Sequence, residues 1–296
     1  MHILITGGTG LLGTALTEYW LEQGHQVTFL TRRPQRVHAL WQGQVRAQTT
    51  LSPKQPDPPY DAIINLAGAP IADRPWSQSR QAILRSSRVT FTQQLAESLS
   101  HWTRPPSVLL SASAIGIYGA LSPIITMDEA TPAGHDFAAQ LCRDWENAAS
   151  MVPAGRCCHL RTGLVLSPAG GILPRLILPA GWGIQMGAGT QGFSWIHISD
   201  WVSAVDWLLH HSAAQGPYNL TAPHPVSIMA FMEQLQRSQH IRQTLKLPVT
   251  LVKALFGRRA ALLLEGPRVL PQRLLQAGFA FQYPDLESAL PVLLPR

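Results

Sequence analysis

The chain is poor in lysine, cysteine and charge. Only 14% of its 296 residues are charged and 46% are hydrophobic. A disordered chain has the opposite balance, so a full folded core is expected. Its three cysteines, Cys142, Cys157 and Cys158, are odd in number and lack framework spacing. That excludes a disulfide-built scaffold and points to a reducing, cytoplasmic setting. Cys157 and Cys158 are adjacent in an apolar stretch where successive side chains take opposite faces, which favours core packing over redox chemistry. No run approaches the roughly 18 apolar residues of a membrane span, so no membrane partner is expected. The net charge of +6 comes from dispersed basic residues, an argument against nucleic acid as a partner. Paired His-x-x-x-His or Cys-x-x-Cys ligands are missing, and no metal site is expected. The Gly-x-Ser-x-Gly elbow and the Gly-Lys-Ser phosphate loop are missing too.

What is present begins at the first residues. His2-Ile3-Leu4-Ile5 reads as a short buried strand, so no secretory leader is expected there. Thr6-Gly7-Gly8-Thr9-Gly10-Leu11-Leu12-Gly13 follows, and then an apolar helical pattern of Leu12, Ala15, Leu16, Tyr19 and Trp20 that ends near Gly24. Strand, glycine turn and helix start form the arrangement that grips a dinucleotide pyrophosphate. Glycines let the backbone approach the phosphates, and the unpaired N–H groups at the positive end of the helix face their charge. Gln26 to Leu30 reads as a second strand. From Gln23 to Pro56 there is no Asp or Glu, so the acid that would hold an NAD ribose diol is missing. Thr31-Arg32-Arg33-Pro34 stands at the strand tip instead. Guanidinium forks suit a 2′-phosphate, and the expected cofactor is NADP(H).

Further strands are expected at Asp61–Gly68, Ser107–Ser111, Cys157–Arg161 and Pro217–Leu220. Helices are expected at Ser77–Ser100 (carrying Arg80, Arg85 and Arg88), Asp136–Met151, Trp201–His211 with Ser199 or Asp200 as its cap, and Ser227–Arg237. Continuous apolar strands separated by helices predict an α/β fold, a Rossmann-like doubly wound parallel sheet, with a smaller mixed α/β substrate lobe. Residues 1–165 are assigned to the NADP-binding domain, with 196–220 returning to it. Residues 166–195 and 221–296 are assigned to the substrate lobe and C-terminal segment. The glycine-rich stretch 181–192 reads as loop.

Thr6 to Gly13, Asn65-Leu66-Ala67-Gly68, Ser111-Ala112-Ser113 and Ser194-Trp195-Ile196-His197-Ile198 together resemble the extended short-chain dehydrogenase/reductase superfamily. Asp136-Phe137 through Trp145-Glu146, and Glu265-Gly266-Pro267-Arg268-Val269-Leu270-Pro271 through Gly278-Phe279 with Tyr283-Pro284-Asp285-Leu286, resemble one branch. That branch is the epimerase-like family of atypical members with a small C-terminal domain, and the likeness covers essentially the whole chain. The resemblance implies cofactor contacts from Gly7, Thr9, Gly10, Leu11, Leu12 and Gly13. It also implies contacts from Leu66, Ala67 and Gly68 beside adenine and ribose, and from the backbone at Leu164 over the nicotinamide. It places Ser113 at the catalytic serine position.

The superfamily's proton chemistry uses a tyrosine followed four residues later by a lysine that lowers its pKa. Here the only lysines are Lys54, Lys246 and Lys253, and none follows a tyrosine by four. At the dyad position either Phe137 and Leu141 or Ala138 and Cys142 have the spacing, and neither pair moves a proton. Ser113 and Tyr118 are therefore the catalytic candidates, with Asp128, Glu129 and Glu146 as other proton carriers. Arg161 and His197 are substrate-binding candidates, Arg161 because it ends a strand at the edge where ligands collect. The expected function is an NADP(H)-binding, epimerase-like oxidoreductase acting on a small molecule without the usual dyad. The alternative is a catalytically silent NADP(H)-sensing protein.

Overall fold

The computed structural model describes residues 1–52, 54–119 and 125–294. Seven strands form the central sheet: β1 (His2–Thr6), β2 (Gln26–Leu30), β3 (Arg46–Gln48), β4 (Ala62–Asn65), β5 (Val108–Ala114), β6 (Cys157–Thr162) and β7 (Gly216–Leu220). They are parallel throughout and run in the order β7-β6-β5-β4-β1-β2-β3. Chain order reverses at β1 and β4, which opens a crevice outside their carboxyl ends. Strand β3 was not anticipated. Its three residues lie at the sheet edge with no buried side chain, so they carry no apolar signal.

The principal helices here are α1 (Leu11–Glu22), α2 (Pro34–Trp41), α3 (Gln78–Arg85), α4 (Phe91–Leu99), α5 (Phe137–Ser150), α6 (Ile198–His210), α7 (Ile228–Arg237) and α8 (Leu286–Leu293), with shorter ones at Leu173–Leu176, Ala260–Leu264 and Gln272–Gln276 and another at Val249–Phe256. Alternate strand residues serve opposite faces. Ile3, Ile5, Phe29, Ile64, Leu110 and Leu160 pack with Leu16 and Trp20 of α1 and Trp201 and Leu208 of α6. Leu4, Ile63 and Leu109 pack on the other face with Leu95 and Leu99 of α4 and Ala149 of α5. The adjacent cysteines divide the same way, with Cys158 in the first cluster and Cys157 against the second. Trp20 also donates from Nε1 to Asp206 Oδ1 at 2.7 Å, which pins α1 to α6. Truncating a tryptophan buried to this degree costs about 3–5 kcal/mol.

The long helical stretch expected over 77–100 is continuous but contains one π turn, Ser86–Thr90, between α3 and α4. Side-chain caps open several helices. Ser77 caps α3 and Asp136 caps α5, while Ser227 and Asp285 cap α7 and α8. The cap of α6 is His197, neither Ser199 nor Asp200. Its imidazole accepts the Ser199 N–H at 3.1 Å. Asp200 instead accepts the Gln282 and Tyr283 amides at 2.8 and 2.9 Å.

A second core gathers Leu173, Phe193, Trp195, Phe231 and Leu290. Part of the glycine-rich stretch is strand and not loop. Trp182–Met186 pairs in parallel with Gln243–Leu247. A Cβ on Gly183 would fall 2.5 Å from the tip of the Ile241 side chain, which would have to move to admit it. The C-terminal segment reaches both cores. Arg268–Val269 pairs in parallel with Thr126–Met127, Leu274 and Phe279 join the first cluster, and α8 joins the other. Among the described residues no helix is long and apolar enough to cross a membrane.

Candidate cofactor cleft and its polar supports

The crevice outside β1 and β4 is set by a ladder of polar side chains in register. Thr6 faces Asn65 across the sheet and Asn65 faces Ser111. Thr6 Oγ1 donates to Asn65 Oδ1 at 2.7 Å. Asn65 Nδ2 donates to Thr92 Oγ1 at 2.9 Å and to Ser111 Oγ at 3.2 Å. Thr6 Oγ1 also accepts the Ala67 N–H at 3.2 Å. The ladder ties the ends of β1 and β4 to the middle of β5 and to α4, and fixes the turn Leu66-Ala67-Gly68. Sequence reading missed Thr6 and Asn65 as positioning residues. The only signal was a polar residue at the end of each of two otherwise apolar strands.

The glycine turn packs against that fixed point. Gly7 has φ +71° and its missing Cβ would lie 2.6 Å from the Leu66 carbonyl oxygen, so only glycine fits. A Cβ on Gly13 would stand 2.5 Å from Gly8 Cα, which requires the helix to start hard against the turn. Gly10 opens α1 without a side-chain cap, and there is no acid in the first turn. The first intrahelical bond is Thr14 N–H to Gly10 O at 2.8 Å. The amides of Leu11, Leu12 and Gly13 therefore precede the helical ladder, as an anion site at a helix start requires. Thr9 is half-buried on the same turn. The Gly170–Gly171 strand lies beside Leu11.

At the tip of β2, Arg33 begins α2 and its N–H bonds to Thr31 Oγ1 at 3.2 Å. The side chains of Arg32 and Arg33 are exposed, and among the described residues neither has a carboxylate partner within 4.0 Å. Leu66 and Ala67 are half-buried and Gly68 is exposed along the crevice. Leu164 opens a short strand beside Trp195, with its N–H on Ser194 O at 2.8 Å. This set fits a dinucleotide: two positions that tolerate no Cβ, a run of free amides, and two unmatched guanidinium groups.

A second register row lies on the β5 side. Ser113, Arg161 and Asn219 are neighbours across β5, β6 and β7. Ser113 Oγ donates to Glu146 Oε1 at 2.6 Å. Glu146 is gripped by Arg161 through Nε at 2.9 Å and Nη2 at 3.0 Å. Arg161 Nη1 donates to the Tyr118 hydroxyl at 3.1 Å, which donates on to Asn219 Oδ1 at 2.7 Å. Glu129 Oε1 accepts the Asn219 N–H at 2.9 Å. Tyr118 has no exposed surface and Ser113 only 4%. Burial pushes the Tyr118 phenol up, and the Arg161 charge offsets only part of this. Burial likewise raises the Glu129 carboxyl, against the pull of the Asn219 and Arg273 amides. Burial alone would lower Arg161, but its bonds to Glu146 outweigh that and the guanidinium is held firmly charged.

The candidates thus separate. Ser113, Tyr118 and Arg161 meet in one buried network through Glu146. His197 lies apart at the start of α6, with its ring 4.0 Å from that of Tyr283. Burial lowers its pKa to about 4. Asp128 serves a local turn, accepting the Ala130 and Thr131 amides at 3.0 and 3.2 Å. Of the two registers at the dyad position, Ala138 and Cys142 turn toward Gly116 beyond β5, while Phe137 packs on Trp76. Burial pushes the Cys142 thiol up to about 12, so it supplies neither a base nor a cation.

Residues 3–221 match the family model described as NAD dependent epimerase/dehydratase. The chain belongs to the NAD-dependent epimerase/dehydratase family. Residues 247–291 match a domain of unknown function, DUF1731. Epimerase family protein YfhF of Bacillus subtilis is 34% identical over 300 residues, covering 99% of this chain and 98% of its own. Human epimerase family protein SDR39U1 is 34% identical over 299 residues, covering 98% of each. The crystal structure of human SDR39U1 (isoform2) with NADPH superposes with a TM-score of 0.89 at 33% identity, covering 99% of both chains. The matched family accords with the glycine turn. The loss of the dyad sets this chain apart from the proton chemistry expected of the resembling superfamily.

Proposed function

We propose that this chain binds NADP(H) across the β1–β4 crevice and acts as an epimerase-family oxidoreductase on a small molecule, without a tyrosine acid. One observation carries the reading: a glycine cradle that admits no Cβ, facing exposed guanidinium groups where an NAD site has a carboxylate. The NADPH held by the human relative supports it. NADP(H) supplies or accepts a hydride when bound. The chain's own residues bind and orient it. The amides of Leu11, Leu12 and Gly13 take the pyrophosphate, Arg32 and Arg33 the 2′-phosphate. Leu66, Ala67 and Gly68 run along the crevice from the adenosine ribose toward the nicotinamide half, and the Leu164 backbone lines the nicotinamide side. Ser113 commits its proton to Glu146, so toward a substrate hydroxyl it is an acceptor. Tyr118 and Arg161 brace the site, and a proton needed in reduction comes from water. The free thiols suit the cytoplasm, where we place the protein.

Replacing Arg32 with Glu tests the cofactor assignment. It removes a charged hydrogen bond of about 1.5–3 kcal/mol and adds repulsion, so NADPH affinity falls at least tenfold while NADH affinity changes little. Equal losses in calorimetric titrations refute the 2′-phosphate site. Saturation of the Ser113 and Tyr118 hydroxyls favours a second reading, in which the cofactor is held and not turned over. Anaerobic incubation of the NADPH form with carbonyl metabolite pools separates the two. Oxidation by any pool establishes turnover, and none supports the silent form.

A further inference from the structure

Arg88 sits in the middle of the π turn Ser86–Thr90, half-buried. Its guanidinium is sandwiched between the Trp145 ring, 5.2 Å from Cζ, and Gly68, whose missing Cβ would stand 3.0 Å from Cζ. Its hydrogen bonds are long, 3.4 Å to Leu84 O and 3.5 Å to Ser87 Oγ. Among the described residues no carboxylate lies within 4.0 Å of it.

Three other deep arginines differ. Arg161 holds Glu146, and Arg80 holds Asp73 at 2.6 Å. Arg156 fills the carbonyls of Leu208, Leu209 and Ala214 at 2.7–3.2 Å. A cation withdrawn from water without a partner is costly. It persists where an anion completes it, and π turns recur at functional positions in helices.

The placement indicates which anion. Ser87 Oγ accepts the Ala69 N–H at 3.0 Å, and one turn below, Thr92 Oγ1 accepts from Asn65. Arg88 therefore stands level with the turn beyond β4, on the β5 side of the crevice. Cys142, the residue in the dyad lysine's register, is within electrostatic reach. A dinucleotide with its pyrophosphate over α1 and its adenosine toward Arg32 has its nicotinamide half on this side.

We propose that Arg88 is an oxyanion receptor at the nicotinamide end of the cleft, supplying there the fixed positive charge that the missing lysine does not. The oxyanion is a phosphate or carboxylate oxygen, either of the cofactor or of a substrate bound beside it. This rests on the dinucleotide reading above.

Arg88→Met tests it, because the stem keeps its packing on Trp145 while the charge is lost; Arg88→Lys restores the charge. Three readouts are taken on the full chain. They are the melting temperature without ligand, the affinities for NADPH and for adenosine 2′,5′-bisphosphate, and the thermal shift that inorganic phosphate gives the NADPH-loaded protein. Ligand-free Arg88→Met melts no lower than the parent, because an uncompensated cation has gone. Its affinity for the bisphosphate, which lacks the nicotinamide half, is unchanged. A tenfold or larger loss of NADPH affinity identifies the cofactor as the source of the oxyanion. Unchanged NADPH affinity with loss of the phosphate shift identifies the substrate. Arg88→Lys recovers most of either effect. A ligand-free Arg88→Met protein melting several degrees low, or one with both ligand responses intact, overturns the proposal. Failure of the parent itself to bind NADPH would instead sink the dinucleotide reading.

Discussion

Glu146→Gln separates a buried brace from a working acid. The side chains of Glu146 and Arg161 are 11% and 10% exposed, and their two contacts are 2.9 and 3.0 Å. With charge centres near 4 Å apart and an effective dielectric of about 20, their attraction is about 4 kcal/mol. Breaking a buried pair from one side costs about 3–5 kcal/mol, because the surviving charge stays buried alone. Glutamine keeps the shape and an acceptor for Ser113, so the charge is the main loss. At about 2 °C per kcal/mol for a chain of this size, the melting temperature falls by roughly 6–10 °C. Arg161→Met in the same protein removes the orphaned cation, and the double variant is then more stable than Glu146→Gln alone. Thermal and urea unfolding followed by circular dichroism measure all four corners of the cycle. A single variant within about 1 kcal/mol of the parent, with losses that simply add in the double, would refute the brace.

Other consequences follow from the same geometry. Tyr118→Phe strands Asn219 Oδ1 and leaves Arg161 Nη1 only its 3.4 Å bond to Glu129 O, lowering stability by about 1–3 kcal/mol while NADPH affinity stays within twofold; a large loss of affinity in a titration would give the hydroxyl a ligand role. Gly13→Ala forces a Cβ into Gly8 Cα, so NADPH binding drops at least a hundredfold with the fold retained, and near-parental affinity in the same titration would show that the turn yields. His197, with its folded pKa lowered to about 4 from 6.5, contributes stability that is present above the unfolded pKa and lost as pH falls through the folded one. That contribution is on the order of 3 kcal/mol. His197→Asn keeps a cap acceptor and flattens the decline between pH 6.5 and 4 in denaturant titrations; an unaltered slope would place the decline elsewhere.

The phosphate turn was legible because its constraints are local. A positive φ at Gly7 and the close approach at Gly13 are written in adjacent residues. The Thr6–Asn65–Ser111 ladder was not, because it depends on register between strands far apart in the chain. Ser113, Tyr118 and Arg161 were picked out singly, but their assembly through Glu146 and Asn219 required the lateral order of β5, β6 and β7. The cap of α6 was misplaced because an imidazole acceptor is rare among caps, whereas serine and aspartate are common ones. The strand Trp182–Met186 was hidden by glycine. Gly183 weakens any strand pattern, and its partner Gln243–Leu247 is distant in sequence. In sequence Arg88 is one arginine of three in a helix, and its setting against the π turn and Gly68 shows only in the fold.

The C-terminal segment's hold on both cores has a consequence for biosynthesis. Leu274 and Phe279, which close over Tyr218 and α6, leave the ribosome after every strand of the central sheet. Until they arrive, that flank of the nascent protein stays greasy and uncovered, a target for chaperones or stray association. Removing the segment would leave the amino-terminal portion in that half-dressed condition permanently, so the two portions are best regarded as one inseparable folding unit.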